Sequence, residues 1–427
     1  MSNSVYNKFR GLLRILLLSI CVFYSSFASS AEIVISPNTK ICLLTCGAGY
    51  EVYSMYGHTA LRICDTSLGY DYVINYGIFS MGIDNFAYLF VKGETDYEVA
   101  ASTFANFMEE YKYDNREVYE NEIQLSDSSK KSLIKYLVWN LSPENKVYRY
   151  KFFSDNCATR IRNLLEQSAK ITWNTNPKKR IQGPSDAQYT NIINDYWQKH
   201  TNYTYRDIIL IYQEKIPWIN AGIQIPIAAP ADTHLTYRAS MFLPDFLQDA
   251  ALNASVVKDG KIIPLVKPTI QLLKVNKKFV PEKLVWYEMP KIVIGLFFGL
   301  VLLLTLYGLY KKRLYRFIDA FLLFITGVTG ILLIFMSFIS VHECMRPNYN
   351  LWWALPINFI FFFIAIFSKP LLLKYYKFLF VVYGLFFLSL PFIPQSIAFI
   401  QCAFPLLIII RYTAYYYLQN QSAINKN

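Results

Sequence analysis

The chain has 427 residues, 54% of them hydrophobic and 17% aromatic. That is too apolar for an ordinary soluble protein, and a mean hydropathy of +0.24 is too polar for one that lies wholly in a membrane, so a soluble part joined to a membrane part is expected. The formal charge of +12 does not make nucleic acid a partner, because the basic residues fall beside apolar runs, as membrane topology requires.

Residues 1–31 read as a secretory signal. Lys8 and Arg10 precede an apolar core from Leu12 to Phe23, and Ser29-Ser30-Ala31 offers small residues for cleavage; an uncleaved anchor is the alternative. Either way the next segment leaves the cytoplasm. Residues 32–252 read as a mixed α/β domain. Short strands are predicted at 41–44, 59–63 and 72–76, the last two joined as a hairpin at Gly69, and another at 117–125. Ser126-Asp127 caps a helix carrying Leu133, Ile134, Leu137 and Leu141 at helical spacing. Residues 145–153 are aromatic and extended, and a helix begins at Cys157 with Ile161, Leu164 and Leu165 on its buried face. Residues 185–200 and 205–214 read as further helices, and Met241 to Leu247 as a packing segment. Residues 253–290 form a hairpin, turning at Asp259-Gly260, and a connector.

From residue 291 the character changes to an all-α membrane domain, with apolar runs at 292–310, 317–340, 351–368, 378–393 and 396–410. Each is near the ~20 residues that span hydrocarbon, the last two being short enough to read alternatively as a re-entrant pair. Lys311, Lys312, Arg313 and Arg316 follow the first run, Lys369, Lys374 and Lys377 the third, and Arg411 the fifth. Alternate loops are thus basic, which puts them and the C-terminus in the cytoplasm and the soluble domain outside. Trp286, Tyr287, Trp352 and Trp353 are expected at the interface, and Asp319 as an interfacial ion pair beside Arg316.

Two short segments carry chemistry. Tyr56-Gly57-His58-Thr59-Ala60 reads as a glycine turn entering a strand, and Asp155-Asn156-Cys157-Ala158-Thr159 as a capped helix start. A helix N-terminus lowers a thiol pKa, and an imidazole on a nearby strand completes a nucleophile–base pair. Asn75, a polar residue inside an apolar strand, is the candidate to orient His58; capping the turn before Gly77 is its other reading. Asp155, Asn156 and Ala158 would support the site, their backbone N–H groups serving an oxyanion. His342 and Asn350, between the second and third apolar runs, are accessory candidates. There is no CxxC and no Cys/His spacing suited to zinc, so neither metal nor cofactor is expected.

With His58 first, Asn75 second and Asn156-Cys157 opening a helix, the chain resembles the circularly permuted papain-like hydrolases, which include the NlpC/P60-related enzymes and the lecithin:retinol acyltransferase group. It resembles more closely the Lnb-type lipoprotein N-acyltransferases of bacterial envelopes. The stretches that carry this are Thr45-Cys46-Gly47-Ala48-Gly49, Ser54 to Arg62, Asp155 to Arg160, Met241-Phe242-Leu243-Pro244-Asp245, Ser340-Val341-His342 and Asn348 to Trp353. At Glu343 the family commonly has proline. The resemblance implies an inner-membrane enzyme with a periplasmic α+β papain-like domain and a five-helix membrane domain. It implies that Cys157 takes an acyl chain from a phospholipid as a thioester and passes it to the α-amine of a diacylglyceryl-cysteine lipoprotein. The rival reading is a membrane-tethered cysteine amidase or peptidase acting on cell-wall peptides, with water as acceptor; a third is an inactive assembly factor.

Overall fold

The structure is a computed structural model that describes residues 35–49, 51–79, 82, 84–174, 203–274 and 285–424. The expected signal and the helix at 185–200 lie outside the described residues.

Apolar alternation builds the central sheet. In Lys40–Cys46 (β1), Ile41 and Leu43 join one buried cluster while Leu44 and Cys46 join another on the opposite face. The predicted hairpin is His58–Asp65 (β2) and Tyr70–Ile78 (β3), turning at Gly69 with a positive φ of 73°. After a short exposed helix, Phe86–Lys92 (α1), come Asp96–Thr103 (β4), Phe104–Tyr113 (α2) and Val118–Glu122 (β5). Ser126 accepts a hydrogen bond from the Ser129 N–H and so caps Asp127–Leu141 (α3), which buries Leu133, Ile134 and Leu137. Val147–Arg149 (β6) leads to Cys157–Ser168 (α4), and then come Ile171–Thr172 (β7), Tyr205–Tyr212 (α5), Pro217–Ile223 (α6) and Pro244–Asn253 (α7). Ser255–Lys258 (β8) and Lys261–Pro264 (β9) form the hairpin expected at Asp259-Gly260, and Ile270–Leu273 (β10) returns to the main sheet. The main sheet is antiparallel, in the order β10-β5-β1-β2-β3-β4-β6. α3, α4 and α7 pack on one face and α2 on the other.

The membrane half contains five helices: Pro290–Tyr310 (α8), Arg316–Phe338 (α9), Asn358–Phe367 (α10), Lys369–Ser389 (α11) and Phe399–Ile424 (α12). All but α10 are long and apolar enough to cross a membrane. The run 351–368, expected as one span, is α-helical only over the ten residues of α10, a 3-10 turn at Tyr349–Trp352 opening it. Its first half is irregular because its backbone packs into α9. A Cβ on Gly327 would lie 2.3 Å from the Phe359 nitrogen, and one on Gly330 would lie 2.3 Å from the Ala354 carbonyl oxygen. Backbone groups of this stretch find partners inside the bundle, the Trp353 carbonyl accepting from the Tyr383 hydroxyl and the Ala354 N–H donating to the Asn350 carbonyl, while buried Asn358 donates to Thr326 and Tyr383 and accepts from Tyr375.

Three further expectations are corrected. Arg411 does not follow the last helix but lies within α12, and Asp319 pairs with it rather than with Arg316. Both are fully buried: Arg411 Nε and Nη2 donate to the Asp319 carboxylate at 2.7 and 2.8 Å, and Tyr376 and Tyr415 hydroxyls donate to the same carboxylate. Desolvation makes an unpaired charge here so costly that each ion takes the other as partner. Trp353, expected at the interface, is 2% exposed and donates from Nε1 to Asn350 Oδ1, whereas Trp352 and Trp286 remain exposed.

The halves are joined by polar contacts. Val341 N–H donates to the Lys92 carbonyl at the end of α1, and Ala228 N–H to the Cys344 carbonyl. Side-chain amides of Asn348, Asn350, Gln395 and Gln401 donate to the carbonyls of residues 224–227. The C-terminal end of α9, the segment after α11 and the start of α12 therefore lie on the soluble-domain side.

Replacing Arg411 with Met strands a buried carboxylate, at a cost of about 3–5 kcal/mol. A thermal melt of the detergent-solubilised protein should register this as a lowered transition. The double variant Asp319→Leu/Arg411→Met should recover most of the loss.

Candidate active site

The sheet register assembles the first half of the site. Cys46 pairs with Val118 on one side and with His58 on the other, so the ends of β5, β1 and β2 form one row. Gly57 precedes this row with a φ of +76°, and a Cβ there would stand 2.7 Å from the Cys46 carbonyl oxygen, so the turn requires glycine. One strand over, Asn75 pairs with Ala60, two residues beyond His58, so Asn75 and His58 share a face. Their side chains meet: His58 Nε2 and Asn75 Oδ1 are 3.2 Å apart. Oδ1 is an acceptor, so Nε2 carries the proton and Nδ1 is left with its lone pair.

The second half is the start of α4. Asn156 caps it, its Oδ1 accepting from Thr159 N–H at 2.9 Å while Thr159 Oγ1 accepts from Asn156 N–H at 2.7 Å. Asn156 Nδ2 donates to the carbonyls of Phe152 and Phe242, both at 2.8 Å. The side chain thus ties the helix start to the preceding turn and to the Met241–Asp245 segment. Asp155 sits further out: its carboxylate forms a two-pronged pair with Arg160 at 2.7 and 2.8 Å, and Arg160 lies over the Tyr148 ring.

Cys157 is buried, with its thiol against the N–H groups of Thr59, Ala158 and Cys157 itself. Thr59 adjoins His58, so the thiol and the imidazole belong to one neighbourhood. The three N–H groups favour a thiolate, as expected of a helix N-terminus, yet burial outweighs them and raises the thiol pKa. Burial also pushes His58 down to about 4, helped by the nearby positive charge of Arg116 and opposed by the Asn75 contact. At rest the neighbourhood therefore holds a neutral thiol and a neutral imidazole. The helix N-terminus was expected to lower the thiol pKa; burial reverses that direction here.

His342 and Asn350 lie elsewhere. His342 Nε2 is 2.7 Å from the Phe90 carbonyl oxygen in α1, and Asn350 Nδ2 donates to the Ile225 carbonyl, so both dock the membrane loop onto the soluble domain. Two residues of this region were not among the site candidates read from the sequence. One is Glu343. Residues 151–155 form a tight turn closed by paired Lys151 and Asp155 backbone bonds, and Glu343 grips its tip. One carboxylate oxygen accepts from the N–H groups of Phe153 and Ser154 at 2.9 and 3.2 Å, and the other from the Ser154 hydroxyl. The other is Arg116, whose only local signal is a charge just before a predicted strand.

Two expected outcomes follow from this geometry. The folded-state pKa of His58 lies below its unfolded value of about 6.5. Between pH about 6.5 and about 4 the unfolded chain binds a proton that the folded chain does not, so the stability this group contributes is lost as pH falls through that window. Ring-labelled histidine NMR should give a His58 midpoint near 4, with the melting temperature declining below about pH 6.5. Glu343→Ala should speed amide exchange at Phe153 and Ser154 by roughly 10- to 100-fold, the loss of charge-assisted hydrogen bonds, and leave Leu164 unchanged.

Two family models match the chain. The Lnb N-terminal periplasmic domain covers residues 28–203 and the Lnb transmembrane domain covers residues 282–423. Neither the curated proteins nor the solved structures yield a match.

Proposed function

The chain belongs to the Lnb family, joining that family's periplasmic and transmembrane domains in one membrane-bound enzyme, and we propose that it is a lipoprotein N-acyltransferase of the bacterial inner membrane with Cys157 as its nucleophile. The observation that carries this reading is the grip of Glu343 on the turn leading into Cys157. It ties the nucleophile to the loop between two apolar helices, so the reacting sulfur works at the membrane surface, where a phospholipid donor and a diacylated lipoprotein both reside. A wall peptidase gains nothing from that tie. The C-terminus would lie in the cytoplasm and the soluble domain, read as a permuted papain-like fold, in the periplasm.

In the first half-reaction His58 takes the thiol proton as Cys157 Sγ bonds to the ester carbonyl of a phospholipid. Asn75 holds the ring with its free nitrogen available, and backbone N–H groups at the start of α4, Ala158 among them, receive the carbonyl oxygen as it gains charge. Collapse breaks the ester C–O bond. The leaving alkoxide takes the proton from His58 and departs as a lysophospholipid, and Cys157 remains as a thioester. In the second, the free α-amine of a diacylglyceryl-cysteine attacks the thioester, gives a proton to His58, and leaves as the amide while the thiol is restored. A thioester is reactive enough toward an amine for this to need no ATP.

Phospholipid alone should add one acyl mass to Cys157, removable by hydroxylamine, and the His58→Ala variant should load on the order of 10²-fold more slowly or worse. A diacylated lipopeptide with a free α-amine should discharge the thioester; its N-acetylated form should not. Cleavage of muropeptides by an enzyme that phospholipid never labels would replace this reading with the cell-wall hydrolase.

A further inference from the structure

Arg116 is a buried cation beside the reacting pair that the mechanism leaves unused. It lies two positions before Val118, the first residue of β5, and Val118 stands in register with Cys46, which in turn stands opposite His58. Strand alternation therefore sends the Arg116 side chain to the face that carries His58. The side chain is 7% exposed. Nε donates to the Gly47 carbonyl at 2.9 Å, the guanidinium lies 4.6 Å from the centre of the Tyr111 ring, and Nη1 stands 3.8 Å from the Asp114 carboxylate at the domain surface. Gly49 leaves room for it: a Cβ there would come within 3.2 Å of Arg116 Cδ and collide with Ser54 Oγ at 2.3 Å. The Gly47-Ala48-Gly49 segment thus wraps the arginine and holds it in one pose.

One group is left over: Nη2 is buried and has no hydrogen-bond partner among the described residues. A desolvated N–H of a charged group is costly to leave unpaired, so a position that holds one is suited to receive an acceptor. The Asp114 carboxylate balances the charge only from the surface side, at 3.8 Å from Nη1, while the thiol and imidazole on the other side are neutral. Both groups sense that charge, which opposes protonation of His58 and favours the thiolate of Cys157.

We propose that Arg116 forms an anion subsite of this centre, its Nη2 receiving an anionic oxygen of the acyl donor. The inference rests on the acyl-transfer reading for the identity of the donor, but not for the existence of the subsite. The oxygen has two sources with the same chemistry: the phosphate of the phospholipid, or the oxyanion formed when Cys157 adds to the ester.

The subsite is tested by alkylating Cys157 in the full-length protein with iodoacetate, an anion, and with iodoacetamide, its neutral analogue. The ratio of the two rates cancels any change in thiol reactivity. Arg116→Gln should lower that ratio roughly tenfold, as loss of a charge-assisted hydrogen bond implies, and Arg116→Lys should retain much of it. An unchanged ratio in a folded Arg116→Gln protein overturns the subsite. If that variant does not fold, the wild type answers the same question: inorganic phosphate, at ionic strength matched with sodium chloride, should slow iodoacetate and spare iodoacetamide, and equal effects on both overturn it. Acyl loading then separates the sources. A defect of Arg116→Gln with phospholipid but not with a neutral p-nitrophenyl acyl ester assigns the phosphate, an equal defect with both assigns the oxyanion, and a defect with neither overturns the role in acyl transfer. Loss of the iodoacetate preference in an enzyme that phospholipid never loads would leave the subsite standing and sink only the acyltransferase reading.

Discussion

The carboxamide of Asn156 is the joint on which the site turns. Its oxygen caps the helix that begins at Cys157, and its nitrogen reaches both the Phe152 carbonyl in the turn before that helix and the Phe242 carbonyl in the segment before α7. One side chain thereby fixes the helix start against two other pieces of chain, and the thiol against the Thr59 N–H at the edge of the sheet. Without that tie the first turn of α4 would have unsatisfied N–H groups and freedom to fray. The sheet side is equally constrained, because Gly57 allows β2 to begin directly across from Cys46.

The energetics of the pair follow from burial. Three N–H groups favour a thiolate, but removal of the sulfur from water costs more, and the same desolvation keeps His58 neutral. Such a centre holds no charge separation at rest; in the proposed reaction it would develop only with a substrate in place, so that Cys157 would not sit as a reactive thiolate between turnovers.

Much of this was legible in the sequence. Turn and cap residues mark the hairpins and helix starts, and His58, Asn75 and Cys157 stood out as polar groups at the start of a strand, inside one and at the start of a helix. The short interruptions were harder to read. Apolar composition alone cannot distinguish a full helix from the irregular stretch before α10, because what decides is the close approach of that backbone to Gly327 and Gly330 on another helix. Nor does local sequence announce that Asp319 and Arg411 find each other across 92 residues, or that Glu343 reaches Phe153 across 190. Arg116 belongs to the same class, since its meaning lies in the strand register, and a lone arginine before a strand is ordinarily a surface charge.

The membrane half does more than tether the soluble domain. The loop between α9 and α10 makes backbone and side-chain bonds to α1 and to the turn before Cys157, so the position of Cys157 depends on both halves. The central claim is that this joined site N-acylates lipoproteins. Mass spectrometry of lipoprotein N-termini tests it most directly, comparing cells that have this protein, lack it, or carry only Cys157→Ala. The account predicts N-acylated, triacylated N-termini with the intact protein and diacylated N-termini with a free α-amine in the other two. Triacylated N-termini that persist unchanged in all three would contradict it.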